Sequence, residues 1–345
     1  MTNIRKALIL SPVALAFALA TVASVPSFGQ DGGDNPSAKP EADARTRTLA
    51  ARKKLAESGE GQRVLGGTAA KKDEYPFQVA LLDTGTLDET ADSQYYAQFC
   101  GGSLISDEWV LTAAHCMVDD WGEVYPTEWN TVLVGATTLM EGKRVLAAEV
   151  IVHEGYSPIT FDNDVALVRL AEKVSVPSIK LTDGSDATDA GKATVIGWGL
   201  KDDGTAPVEL LKGEIGMYPN ATCDEGIRGY FADGLEATIM EQGQYIKLSE
   251  AAVKEAMKIL KTGIGDPLTT QMVCAGTPSG EVSSCHGDSG GPLFVSGSGG
   301  QTQVGIVSWG AGPVNADMFC GHENAYAVFS RVSSFSDWIK QKTGL

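Results

Sequence analysis

The chain has 345 residues, 43% of them apolar, with 40 glycines and ordinary aromatic content. That length buries a large core in one or two domains, and the glycine content suits a turn-rich, mostly β protein better than a helical one. The formal net charge is −17: residues 1–63 carry nine Lys and Arg and six Asp and Glu, so the remainder carries 18 and 38, a net of −20. A body this acidic is repelled by nucleic acid and by anionic membrane, which excludes both as partners; its plainest use is solubility.

The N-terminus reads as a secretory signal over residues 1–29. Arg5 and Lys6 supply positive charge, and Ala7 to Ala23 form an apolar stretch broken by Ser11 and Pro12. A membrane anchor would need a basic stop-transfer flank, whereas small residues and Pro26 follow. The expected location is therefore outside the cell, or the periplasm of a bacterium. Residues 30–63 are polar and charged, with almost no large apolar side chains, and predict a flexible pro-segment.

Short strands are then expected over Pro76–Leu82, Phe99–Ile105, Trp109–Ala114, Thr131–Gly135, Arg144–Ala147 and Val165–Leu170. The segment Thr182–Ala190 reads as a linker. A second set of strands opens at Ala193–Gly199 and includes Pro292–Val295 and Gln303–Trp309. Many short strands with glycine-rich turns argue a sandwich or barrel. Between them, Ser249 could cap a helix through Leu260, with Ala252, Val253, Ala256, Met257 and Leu260 on one face and Gly263 ending it. A C-terminal helix is expected over Phe335–Gln341, capped by Ser333 or Ser334.

Six cysteines, an even number, fit an oxidising compartment and permit 15 pairings. No Cys-x-x-Cys occurs and the four histidines are scattered, so no metal site is expected. No cofactor is expected either.

Three motifs carry chemistry: Leu111-Thr-Ala-Ala-His115-Cys116, Asp162-Asn-Asp164-Val-Ala-Leu167, and Cys285-His-Gly-Asp-Ser289-Gly-Gly-Pro292. A hydroxyl nucleophile, an imidazole base and an orienting carboxylate make an acyl-transfer machine. In this order the motifs resemble those of the chymotrypsin-like, trypsin-fold serine peptidases. The resemblance begins at Arg63-Val-Leu-Gly-Gly67 and runs to the end of the chain.

The resemblance implies an all-β fold of two six-stranded antiparallel barrels, residues 64–185 and 186–345, with the site between them and a C-terminal helix. It implies that Ser289 attacks the scissile carbonyl, that His115 moves the proton, and that Asp164 rather than Asp162 orients the imidazole. The N–H groups of Gly287 and Ser289 would form the oxyanion hole. Ser308, Trp309 and Gly310 would bind substrate backbone as an edge strand. It implies disulfides Cys100–Cys116, Cys223–Cys274 and Cys285–Cys320. It also implies activation by cleavage at Arg63–Val64, which frees the Val64 amine to pair with Asp288.

The resemblance puts Ser283 at the floor of the specificity pocket, where trypsin-like members carry Asp. It implies that Gly310 would leave the mouth open and that the Ala327 methyl would narrow the far end. The expectation is cleavage after Phe, Tyr and Leu, so that another protease would have to cut Arg63–Val64. Trypsin-like specificity is the alternative: Glu281 or Glu323 could reach the pocket, and Tyr326 leaves its back wall open. His153 is expected to be structural, and His286 and His322 lie near the pocket mouth. Asn220-Ala-Thr222 matches a glycosylation sequon or a helix cap. The family's calcium loop would fall on Gly135–Lys143, which has one acidic residue, Glu141. Four stretches exceed the family pattern: Asp83–Gln98, Met117–Trp129, Ala311–Phe319 and the largest, the insertion 224–271, which would border the substrate cleft.

Two other readings are weaker. Gly287-Asp-Ser289-Gly-Gly291 satisfies the nucleophile elbow of α/β-hydrolase esterases, but only His322 follows it. An inactive relative acting as a binding module would usually lack a triad member. The expected partners are protein or peptide substrates, met by a monomer.

Overall fold

The computed structural model describes residues 44–58, 67–184, 190–200, 206–310, 320–321, 323–324 and 326–345. The signal segment, Arg63–Val64, the stretch Ala311–Phe319 and His322 lie outside the described residues, as does part of the expected linker.

Among the described residues the first element is a helix, α1 (Ala44–Ser58), followed by the short strand β1 (Thr68–Ala69). Strand β2 (Gln78–Asp83), helix α2 (Asp92–Ala97) and strands β3 (Gln98–Leu104), β4 (Trp109–Thr112), β5 (Asn130–Val134), β6 (Lys143–Val152) and β7 (Ala166–Leu170) come next. The six strands β2 to β7 close into an antiparallel barrel in the order β2-β3-β4-β7-β6-β5. Strands β2, β3 and β5 are buried along almost their whole length. β6 shows the half-solvated alternation: Val145 and Ala147 point inward, Leu146 and Ala148 outward. Its ten residues extend well past the Arg144–Ala147 expected from composition, because pairing with β7 reaches Val152.

Strand β8 (Lys180–Leu181) leads to β9 (Gly191–Gly197) and β10 (Leu211–Tyr218). The insertion follows as two helices, α3 (Asn220–Gly243) and α4 (Glu250–Gly263). Strands β11 (Met272–Gly276), β12 (Pro292–Gly297), β13 (Gly300–Gly310) and β14 (Ala327–Arg331) and helix α5 (Ser336–Thr343) complete the chain. The second barrel runs β10-β11-β14-β13-β12-β9 and closes through β9–β10. β1 adds to β10, and β8 lies parallel to β13. The two-barrel expectation therefore holds. Phe294 and Ile306 of the second barrel belong to the core of the first, and Ser103 bonds Gln303 at 2.6 Å across them.

Several expectations need correction. Within the stretch expected to be a pro-segment, residues 44–58 form a helix: α1 packs on β3, burying Arg45, Thr48 and Arg52. In α4, Ser249 caps Ala252 N at 3.2 Å as expected, but only Val253 and Met257 are buried, while Ala252 and Ala256 are exposed. α5 starts after a 3-10 turn, Val332–Phe335, with Phe335 at its cap position and no side-chain cap. Ser333 and Ser334 thus do not cap it.

Candidate active site

β4 ends at Thr112, and His115 follows on a one-turn helix, Ala114–Cys116. The Cys100–Cys116 disulfide fastens that turn to β3. Asp164, fully buried, precedes β7 on a loop with two left-handed residues, Phe161 (φ 56°) and Asn163 (φ 55°). Such conformations are strained for a phenylalanine and persist only where the surroundings enforce them. Here the Asn163 amide donates to Gly155 O at 2.8 Å, and Thr269 of the insertion donates to Asp162 Oδ1 at 2.8 Å. Asp162 thus anchors the insertion and takes no part at His115.

His115 and Asp164 meet twice. The His115 backbone N–H donates to Oδ1 at 2.9 Å, and Nδ1 lies 2.7 Å from Oδ2. Ser308 donates to Oδ2 at 2.5 Å, and Ser330 to the Asp164 carbonyl at 2.7 Å. A buried carboxylate is tolerated when several donors satisfy it, as they do here. The Phe161 ring packs against His115 at 5.7 Å between centroids and also touches Tyr156. Burial, and then the Asp164 charge, push the Tyr156 phenol well above its ordinary range.

Ser289 sits on a tight loop from Cys285 to Gly291. Asp288 N bonds Cys285 O at 2.9 Å, Gly291 N bonds Asp288 O at 2.8 Å, and Gly101 N bonds Ser289 O at 2.7 Å. Gly290 (φ 80°) lies so close to Thr112, Ala113 and the Gly101 carbonyl that a Cβ there would collide. That approach brings the serine loop onto the strand end that carries His115. Gly287 has φ 97°, a conformation open to glycine. Among the described residues, neither the Gly287 nor the Ser289 N–H donates to a protein acceptor.

The Asp288 carboxyl is enclosed over Gly197 and Gly199, where a Cβ at either position would collide with it. It accepts from Gly199 N at 2.7 Å and Cys285 N at 2.9 Å. Burial pushes its pKa up to about 6, against the pull of those two N–H bonds and of the Arg52 charge. A cavity of about 40 Å³ beside it is lined by Gly67, Gly197, Leu211, Lys212 and Ser283 among others.

Ser283 is half-buried, and Ala327 pairs in register with Gly310. The Cys285–Cys320 disulfide ties the serine loop to the far wall. Glu281 and Glu323 are exposed at the surface. The Tyr326 ring packs at a tilt against Tyr218, 4.8 Å between centroids, in a cluster with Cys223 and Ile227 under the insertion, where Cys223–Cys274 also lies. Trp309 is half-buried. His286 is exposed at the rim; partial desolvation, then Arg47 and His115, pull its pKa down. His153 packs on Phe335 and Trp338, and burial lowers its pKa. The Asn220 amide donates to Thr269 O and Met272 O, which sets it to bracing the insertion rather than to presenting a free sequon. Among the described residues, the single grouping with metal-ligand geometry is Cys100, His115 and Cys116, whose sulfurs are already bonded to each other.

Three features escaped the sequence: Phe161 and Tyr156 beside the imidazole, and Arg52 behind the serine loop. Phe161 stands three residues before Asp164, a spacing that carries no signal without the loop's fold. Arg52 is treated below.

Two antiparallel six-stranded barrels with a His–Asp clamp and a glycine-bound serine loop between them define a trypsin-fold serine peptidase. The family model described as Trypsin matches residues 64–339. Relatives include mouse transmembrane protease serine 11C, 32% identical over 83% of this chain and 54% of the relative. Brachyurin of Leptuca pugilator is 31% identical over 82% of this chain and 99% of the relative. Human kallikrein-7 is 30% identical over 82% and 88%. The chain spans about half the length of some relatives and nearly all of others. The chain belongs to the trypsin family.

Proposed function

We propose that the chain hydrolyses peptide bonds with Ser289 as nucleophile, His115 as base and Asp164 as its orienting partner. The observation that carries this is the pair of hydrogen bonds between Asp164 and His115, made while Gly290 presses the serine loop against the same strand end. Fixing Nδ1–H toward Asp164 leaves Nε2 to take the Ser289 proton and return it to the leaving amine. The N–H groups of Gly287 and Ser289 would receive the developing oxyanion, a contribution of about 2.7–4 kcal/mol per donor. An active-serine phosphonate tests the assignment: it should label the wild type and leave Ser289→Ala untouched. Labelling of Ser289→Ala at another residue would move the nucleophile elsewhere, and an unreactive wild type after activation would make this a binding module.

The pocket reading supports cleavage after large apolar residues. Ser283 offers no charge, and the exposed positions of Glu281 and Glu323 weigh against a basic preference. An Arg above a neutral serine would be an unpaired buried charge. Discrimination of about a hundredfold or more in kcat/KM is expected between peptides ending in Phe or Leu and those ending in Arg or Lys. Faster cleavage after Arg would overturn this.

Activation at Arg63–Val64 is part of the same proposal. The cavity beside Asp288 has Gly67 in its wall, three residues after Val64, which supports insertion of a freed Val64 amine there. Arg63→Gln should leave uncut protein of much lower activity. Secretion follows from the N-terminal signal reading. Among the described residues no helix is long and apolar enough to cross a membrane.

A further inference from the structure

Helix α1 binds the catalytic body through two arginines seven residues apart. Arg45 pairs with Asp83 at 2.6 Å and bonds Asn130 Oδ1 at 2.9 Å, its guanidinium over the Phe99 ring. That end is an ordinary anchor with its own carboxylate. Arg52, fully buried, is different. Its Nη2 donates to Trp198 O and its Nη1 to Tyr95 O at 3.3 Å, with the Tyr95 ring 5.2 Å from the guanidinium. Its Nε has no acceptor among the described residues. Nη2 lies 3.6 Å from the point where a Cβ on Gly287 would stand. So the cation rests against the back of the loop whose front presents the Gly287 and Ser289 N–H groups.

Among the described residues Arg52 makes no direct ion pair; the carboxylate its charge acts on is Asp288, itself enclosed. The two charges face each other through the thin wall of Gly199 and Gly287, where little water screens them. Other groups face Asp288 as well. Lys212 lines the adjoining cavity, but it is paired with Glu74 at 2.5 Å. His286, on the same loop, is held toward its neutral form. Tyr95, from α2, lies beside Arg52. Burial lowers the pKa of Arg52 to about 10, so it remains a cation at neutral pH.

We propose that Arg52 is a positioning residue: carried by α1, it adds positive charge to the Gly199 and Cys285 N–H bonds that favour the Asp288 carboxylate, and so helps keep the Gly287–Ser289 loop built before Arg63–Val64 is cut. This rests on the activation reading above and deepens it. The freed Val64 amine would reach Asp288 from the cavity side, opposite a cation already in place. α1 is then more than a spacer to be discarded. It is the element that holds the serine loop in the uncut chain.

The test uses the full chain carrying Arg63→Gln, which cannot be cut there. The rate of Ser289 phosphonylation is measured from pH 5 to 9, alone and with Arg52→Gln or Arg52→Lys. The uncut chain should label slowly but measurably. Arg52→Gln should slow labelling by about tenfold and shift its acid limb to higher pH, because an Asp288 without its cation ionises later. Arg52→Lys, which keeps the charge but loses the forked contacts, should retain the limb. With Asp288→Asn also present, removing Arg52 should move neither rate nor limb further. Equal rates and limbs with and without Arg52 overturn the proposal, as does an Arg63→Gln chain that does not label at all. If Arg52→Gln fails to fold, Arg52→Lys decides: a shifted limb with the charge retained also overturns it. Failure of the activation reading is distinct, since the wild type would then stay uncut and match Arg63→Gln in activity.

Discussion

Ser308, on a strand of the second barrel, donates a 2.5 Å hydrogen bond to the Oδ2 of Asp164, which belongs to the first. The carboxylate that orients His115 is therefore held from across the barrel interface, with Ser330 gripping its backbone carbonyl from the next strand. Neither barrel alone presents the imidazole correctly.

Ser308→Ala tests that dependence. A hydrogen bond to a charged group contributes about 1.5–3 kcal/mol. If Asp164 loses one as the imidazolium forms, kcat/KM should fall roughly tenfold to a hundredfold. KM for a short amide substrate should change little, since the serine hydroxyl faces the aspartate. Steady-state kinetics on the activated enzyme measure the split, and an unchanged kcat would refute it.

Asp288 sets an unusual pH dependence of stability. Its folded-state pKa is raised to about 6, chiefly by burial, from an ordinary 3.8. The folded chain thus holds this proton more tightly than the unfolded chain does. The resulting stability is fully present below about 4 and lost as pH rises through about 6. Glu154 acts oppositely: bonds from Lys342 and Trp338 help lower its pKa to about 2, so its contribution is lost as pH falls through that value. In uncut Arg63→Gln protein, adding Asp288→Asn should give a melting-temperature advantage that grows between about pH 4 and 6 and is level outside that window. A constant offset at every pH would show that the carboxyl is not perturbed.

Arg45→Ala should destabilise the uncut chain strongly. It strands Asp83 and Asn130 and empties the site over Phe99. Deleting one partner of a fully buried pair costs about 3–5 kcal/mol; Asp83 is partly exposed and also accepts from Thr86, so the loss should fall below that range. The activated enzyme, freed of residues before Val64, should melt at the same temperature with or without the substitution. Thermal denaturation of both forms separates the cases.

Much of the site was legible because its chemistry is local in sequence. His115, Asp164 and Ser289 each stand inside a run whose neighbours are fixed by backbone demands. Gly290 cannot carry a Cβ, and Ala113 and Ala114 are fully buried. α1 was illegible for a physical reason. Its inward-facing positions follow the i, i+3, i+4, i+7 spacing of a packed helix, but buried Arg45, Thr48 and Arg52 and half-buried Leu49 occupy them. A stripe with charge at both ends reads as solvated until its partners Asp83, Trp198 and Tyr95 are known. α3 was missed similarly, since three interior glycines, Gly226, Gly229 and Gly234, interrupt it and lower its helix propensity. Burial of Cys223 and Ile227 against Tyr326 and Leu268, with the disulfide to Cys274, overrides that preference.

Ala327 gives the sharpest test of the pocket. It is buried on β14, directly opposite Gly310 on β13. Its neighbour Tyr326 is committed to the cluster with Tyr218, so the ring does not compete for the same space. On the pocket reading proposed above, the Ala327 methyl would limit the depth available above Ser283. Removing it should admit a larger ring and loosen the fit of a smaller one. A methyl-sized change in an apolar pocket alters transition-state binding by about 1–3 kcal/mol. Ala327→Gly should therefore raise kcat/KM for peptides ending in Trp, relative to Phe, by roughly tenfold, while Arg and Lys stay poor because Ser283 is untouched. The ratios come from competition between otherwise identical peptides in one reaction. An unchanged Trp-to-Phe ratio would mean that this methyl does not face the substrate side chain, and that another wall of the pocket limits its depth.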